Sequence, residues 1–131
     1  INKARSFIFA TALPPSAVGA ALESLQLLRE EPFHRESLWK NCGALKSRLG
    51  ESGFDVTAEE TPILPLIFGA EVTALRMSRR LTDRGYFVPA IRPPSVPKGT
   101  SRLRITLCAN HSGEEVDGLA KELSELAQDG G

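Results

Sequence analysis

The sequence predicts an α+β fold: a small, largely antiparallel sheet with helices on one face. Three observations carry that expectation. Apolar residues recur at helical spacing in three segments, and short β-prone runs bounded by Gly and Pro lie between them. The resulting order is helix, helix, strand, strand, helix, strand, strand, helix, in which neighbouring strands read as antiparallel partners. The segment Arg102 to Leu107 alternates strictly, with Arg102, Arg104 and Thr106 on one face and Leu103, Ile105 and Leu107 on the other. One face of that strand belongs to a core and the other to solvent or a ligand. The chain has 131 residues of which 41% are apolar, enough for one domain with a real core.

Phe7 to Phe9 is a short β-prone run that Pro14 and Pro15 stop. Pro is tolerated in a helix's first turn, and Val18, Ala21, Leu22, Leu25 and Leu28 then repeat at helical spacing up to Pro32. Leu38, Cys42, Leu45 and Leu49 mark a second helix that Gly50 and Gly53 close. Phe54 to Thr57 reads as a strand, Glu59 to Thr61 as a turn, and Ile63 to Phe68 as a second strand. Pro65 puts that second strand at a sheet edge or bulge. Glu71 to Arg84 predicts a third helix ended by Gly85, and Tyr86 to Ile91 a third strand. A proline-stiffened loop, Pro93 to Gly99, leads into the strand Arg102 to Cys108. Ser112 and Glu115 form a capping box before a last helix marked by Val116, Leu119, Leu123 and Leu126. The terminal Asp129 to Gly131 reads as a frayed end.

Composition limits the function classes. Lys plus Arg equals Asp plus Glu at 16 each, so no basic excess points to nucleic acid or to a membrane surface. No apolar run approaches the roughly 20 residues of a bilayer span. Cys42 and Cys108 lack metal-ligand spacing and read as two buried free thiols of a reducing, cytoplasmic compartment. No Ser/His/Asp or Cys/His arrangement, phosphate-cradling glycine loop or metal site is legible. The opening Ile1-Asn2-Lys3-Ala4-Arg5, with neither an initiator Met nor a signal peptide, predicts a piece of a longer polypeptide.

The anion-binding candidates are arginines. Arg suits bidentate capture of carboxylate or phosphate, and Arg102 and Arg104 share one strand face. The same pattern also fits a solvated face with routine ion pairs. Arg92 precedes Pro93-Pro94 and is therefore held extended; it reads as a second grip or as a loop surface charge. Thr11 lies between a β-prone run and a helix start, where a hydroxyl and free backbone N–H groups favour phosphate, or where the hydroxyl caps the helix. His111, beside the Ser112 cap, reads as structural, and His34 as a surface residue.

Two segments resemble the α-oxoamine synthases. Arg5-Ser6-Phe7-Ile8-Phe9-Ala10-Thr11-Ala12-Leu13-Pro14-Pro15 is similar to the segment that follows the family's cofactor lysine. Val96-Pro97-Lys98-Gly99-Thr100-Ser101-Arg102-Leu103-Arg104-Ile105-Thr106-Leu107 is similar to its C-terminal Val-Pro-x-Gly-x-x-Arg-Leu-Arg-Ile-Thr motif, with His111 following. The elements between fall in the family's order, so the resemblance covers nearly the whole chain. It implies the C-terminal small domain of the aspartate-aminotransferase-like fold, with residues 1–15 as a linking segment and helix start and 16–131 as the domain. It further implies pyridoxal phosphate (PLP) as cofactor of the whole enzyme, an amino acid and an acyl thioester as substrates, and a homodimer. Arg104 matches the arginine that holds the amino acid carboxylate. Arg92 matches an active-site arginine on the acyl side, and Thr11 a hydroxyl that reaches the cofactor phosphate of the neighbouring subunit. Arg102 takes a structural part. The lead-in Ile91-Arg92-Pro93-Pro94 is similar to the biotin-pathway branch of the family.

The resemblance also implies a missing half. The lysine that carries PLP, the aspartate on its ring nitrogen and the histidine that stacks on it lie upstream in the family. None of Lys3, Lys40, Lys46, Lys98 and Lys121 has that lysine's sequence context. The isolated chain is therefore expected neither to hold PLP nor to turn over substrate. Another α-oxoamine synthase, such as an aminoketobutyrate ligase, and a free-standing carboxylate-binding α+β module remain open alternatives.

Overall fold

A computed structural model describes residues 3–8, 11–56 and 60–128. The elements are α1 (Arg5–Ile8), α2 (Pro15–Glu30), α3 (Pro32–Glu51), β1 (Ile63–Gly69), α4 (Glu71–Asp83), β2 (Ala90–Ile91), β3 (Ser101–Thr106) and α5 (Gly113–Gln128). The chain divides into two units, Ile1–Phe33 and His34–Gly131.

In the first unit α2 starts at Pro15, whose missing N–H is no loss in a first turn. None of the side chains of α2 is buried, and Val18, Leu22, Leu25 and Leu28 are all exposed. The strand expected around Phe7 to Phe9 is instead the helical turn α1, in which the Ile8 N–H donates to the Ala4 carbonyl at 3.0 Å. β propensity needs a neighbouring strand to act on, and no described strand pairs with this segment. Phe9 itself lies outside the described residues.

The second unit is an α+β domain. Its three-stranded antiparallel sheet has the order β1-β3-β2, which places the alternating strand in the centre. Leu103 and Ile105 of β3 turn inward with Leu64 and Leu66 of β1. They meet Met77 and Leu81 of α4, Cys42, Leu45 and Leu49 of α3, and Val116, Leu119, Leu123 and Leu126 of α5 in one core. The helices thus cover one face of the sheet, as expected.

Local chemistry sets the helix ends. At the end of α3 the Phe54 N–H donates to the Leu49 carbonyl, with Gly53 at φ 85°. At the end of α4 the Tyr86 N–H donates to the Leu81 carbonyl, with Gly85 at φ 90°. Both are Schellman closures, whose left-handed position a residue with a Cβ rarely adopts. The capping box of α5 is formed: Ser112 N–H donates to Glu115 Oε2 at 2.7 Å, and Glu115 N–H to Ser112 Oγ at 3.2 Å.

Pro65 sits in an edge strand for a definable reason. It stands opposite Arg104, and the Arg104 N–H donates the other way, to the Pro89 carbonyl at 3.0 Å. The Pro65–Arg104 pair is therefore a non-hydrogen-bonded one. The N–H that Pro65 lacks would have pointed outward from the sheet. At the far end of β1 the register slips between Ile67 and Gly69, a bulge at the exit towards α4.

Three strand expectations need correction. Phe54 to Val56 carries no ladder; Val56 is buried and the Phe54 ring packs edge-to-face on Phe68 at 6.4 Å, so the segment enters the core by side-chain packing alone. Thr57 lies outside the described residues. Of Tyr86 to Ile91 only Ala90 and Ile91 form β2. Pro89 has no N–H to give, and Phe87 is 86% exposed where the segment leaves β3. β3 ends at Thr106, and Cys108 beyond it is exposed, against the expectation of two buried thiols. Cys42 is buried, and burial pushes its thiol pKa up against an opposing pull from Lys46. The end expected to fray, Asp129 to Gly131, lies outside the described residues.

Two outcomes follow from this packing. Leu103 is 0% exposed at the middle of the central strand, so Leu103→Ala should cost about 2–5 kcal/mol in urea unfolding. The Glu115 carboxyl is held below its ordinary pKa by the Ser112 N–H and hydroxyl. A depressed folded-state pKa gives stability that is present above the unfolded value and lost as pH falls through the folded one. Acid titration of unfolding should therefore show a loss setting in below about pH 4.3, and Glu115→Gln should reduce that loss.

Candidate functional site: a groove on the open face of the sheet

The face of the sheet away from the helices is built by the register. Ile63, Pro65 and Ile67 of β1 stand opposite Thr106, Arg104 and Arg102 of β3, and Ile91 of β2 stands opposite Arg102. Two guanidiniums thus rise from the central strand between apolar flanks. A groove of about 450 Å³ lies over them, lined by Thr61, Ile63, Pro65, Ile91, Ser95, Arg102 and Arg104. Its lining among the described residues holds two cations and no acid.

Arg104 is exposed and Arg102 half-buried. The Arg102 Nε–H donates to the Thr100 carbonyl at 2.9 Å, which fixes the plane of its fork. No carboxylate pairs with either arginine among the described residues, whereas Arg48 pairs with Asp117 at 2.6 Å and Arg92 with Glu71 at 2.8 Å.

Arg92 lies one residue beyond the groove-lining Ile91, and its Nη1 reaches Glu71 in the first turn of α4. The carboxylate also suits the positive end of that helix. The pair is about half exposed on each side, so its own stabilisation is small; its effect is to tie the loop's start to α4. The loop then folds on itself, with Ser95 N–H donating to the Arg92 carbonyl at 3.0 Å and Thr100 Oγ to the Pro97 carbonyl at 2.7 Å. Ser95 is thereby delivered to the groove wall.

Thr11 belongs to the first unit and is exposed. It is not the cap of α2: that position is Pro14, which makes no side-chain cap bond. His111 is half-buried; its Nδ1 accepts from the Cys108 N–H at 3.3 Å, while Asn41 Nδ2 donates to the His111 carbonyl at 2.8 Å. It ties the end of β3 to α5 and α3, the structural part expected of it. His34 is exposed. A second cavity, about 480 Å³, opens where Tyr86 to Val88 leave β3 and is lined also by His111, Glu115 and Leu119. No cluster among the described residues could hold a metal ion, and no described helix is long and apolar enough to cross a membrane.

The structure therefore brings Arg104 and Arg102 together in the groove, pairs Arg92 with Glu71 outside its lining, and assigns Thr11 to the first unit. Sequence reasoning missed the β1 wall and the Glu71 partner. Ile63, Pro65 and Ile67 alternate with Leu64 and Leu66, but both sets are apolar, so the pattern does not say which faces the ligand side.

This site and fold define a small domain of the PLP-enzyme type. Residues 1–123 match the family model "Aminotransferase class I and II", and the chain belongs to that family. Within it the chain is closely related to the α-oxoamine synthases. The 8-amino-7-oxononanoate synthase of Lysinibacillus sphaericus is 47% identical over 131 residues, all of this chain and 34% of that protein. A solved structure of SPT with a PLP internal aldimine superposes with a TM-score of 0.87 at 31% identity, over 98% of this chain and 33% of that one. The 8-amino-7-oxononanoate synthase of Francisella tularensis superposes with a TM-score of 0.80 over 98% of this chain and 38% of that one; at 24% identity this speaks for the fold alone. The chain spans about a third of the length of the curated relatives it matches.

Proposed function

We propose that the chain is the small domain of an 8-amino-7-oxononanoate synthase, whose whole polypeptide joins L-alanine to pimeloyl-CoA or a pimeloyl carrier protein with loss of CO₂. The observation that carries this reading is Arg104: a guanidinium on the central strand, open to a groove and free of any described carboxylate partner. The lead-in Ile91-Arg92-Pro93-Pro94 and the identity of 47% to a named synthase point to this branch. In this reading residues 1–15 lead into a small domain of residues 16–131, and a large domain completes a homodimeric, cytoplasmic enzyme.

The residues present fit one side of a PLP site. The groove offers cations and apolar walls but no lysine, since none of the five lysines lines it. This chain therefore orients substrate, and the covalent hold on the cofactor falls to the rest of the protein. PLP, when bound, supplies the electron sink for breaking a bond at the amino acid's Cα. Arg104 grips the carboxylate that departs, and so decides which Cα bond stands in line to break. Arg92, oriented by Glu71, faces the acyl substrate. Thr11 offers its hydroxyl to the cofactor phosphate of the neighbouring subunit.

Assay of the full-length enzyme with alanine against glycine, and with pimeloyl against acetyl thioester, tests the branch; a preference for glycine and acetyl would assign it to an aminoketobutyrate ligase. In that enzyme Arg104→Ala should cost about 2–4 kcal/mol of transition-state stabilisation, read as a fall in kcat/KM for alanine. Unchanged alanine kinetics would remove Arg104 from the carboxylate site. The isolated chain, mixed with PLP and dialysed, should keep no cofactor absorbance; a retained band would place a cofactor lysine within it.

A further inference from the structure

Arg102 asks for an explanation that a structural part does not supply. One of its N–H groups holds the Thr100 carbonyl, which leaves both terminal amino groups of the fork unused by any described carboxylate. It stands two residues from Arg104 on the same face of β3, so their Cα atoms lie roughly 7 Å apart. Two like charges at that spacing repel, and the remedy used elsewhere in the chain, a carboxylate partner, is not used here. Arg48, Arg84 and Arg92 are paired with Asp117, Glu122 and Glu71. The groove over Arg102 and Arg104 is walled by Ile63, Pro65 and Ile91. That arrangement suits a pair of anionic groups joined through an apolar spacer.

We propose that Arg102 is a specificity-determining residue that holds the far carboxylate of the acyl substrate, while Arg104 holds the carboxylate of the amino acid. This rests on the function proposed above. The compound named in the relatives, 8-amino-7-oxononanoate, carries its carboxylate at the end of an alkyl chain remote from the ketone. The condensing amino acid brings a second carboxylate until it leaves as CO₂. Two carboxylates therefore meet two guanidiniums that pair with no carboxylate among the described residues. Arg92 is the rival for the acyl carboxylate, but its charge is already answered by Glu71 at 2.8 Å. Arg102 is pre-oriented by its bond to the backbone, so little freedom is lost when its fork closes on a ligand.

The test uses the full-length holoenzyme with two acyl thioesters of equal length, one ending in a carboxylate and one in a methyl group. Arg102→Gln should lower kcat/KM for the carboxylate-ended thioester on the order of 10- to 100-fold. The loss for the methyl-ended thioester and any rise in KM for alanine should be smaller than that. Arg102→Lys, which keeps the charge without the fork, should fall between. Heptanedioate should compete with the acyl thioester in the wild type and lose that competition in both variants, a readout independent of turnover. An equal loss for both thioesters, or no loss, would overturn the proposal, as would a preference that disappears in Arg92→Gln and survives in Arg102→Gln. If the wild-type enzyme prefers glycine and an acetyl thioester, the underlying function fails instead, and the two failures are thereby told apart.

Discussion

The pairing of β3 on both sides is the constraint on which the rest of the domain depends. A strand with neighbours on either edge cannot slip by one residue without exchanging its two faces. Here the exchange would put Arg102 and Arg104 into the core and Leu103 and Ile105 into water. The antiparallel ladders to β1 and β2 fix one register, and the helix layer enforces it by burying Leu103 and Ile105 completely or nearly so. The same ladder that closes the core therefore aims the arginines. The core and the candidate groove share a backbone and divide it by face.

This division explains why prolines are tolerated, even useful, around the site. Pro65 lies where its lost donor would have faced away from the ladder, and its ring stands beside Arg104 across a non-hydrogen-bonded pair, where side chains approach closely. Pro89 accepts from Arg104 without having to donate. The turn from β2 to β3 closes on backbone bonds and on the Arg92–Glu71 pair, so Ser95 reaches the groove on a loop tied down at both ends. Rigid positioning of this kind is what a site needs if it must orient a bond and not merely bind a molecule.

Much of this was legible in the residues. The period-two alternation of β3, the helical stripes of α3, α4 and α5, the Ser112–Glu115 box and the glycines at 53 and 85 each encode a local geometry, and each is found. The misreadings share a cause. Phe7 and Ile8, Phe54 to Val56 and Tyr86 to Val88 are β-prone by composition, yet a strand exists only where a neighbour offers its edge, which no local pattern records. The groove was half legible: the arginines announce themselves by type and spacing. The Ile63 and Pro65 wall is hidden in a strand that is apolar on both faces, and Glu71 pairs with Arg92 across 21 positions in sequence.

Charge economy separates the arginines more sharply than motif matching does. The family resemblance implies site roles for Arg92 and Arg104 and a structural part for Arg102. In the fold Arg92 is answered by Glu71, and Arg102 and Arg104 have no carboxylate partner among the described residues. An arginine whose counter-charge comes from its own chain can still orient a ligand, but it brings less net attraction than one left bare. The pair lies on the sheet face turned away from the core, beside Ile63, Pro65 and Ile91, with no acid among the described lining residues. A single register therefore sets the distance between the two guanidiniums that this strand presents.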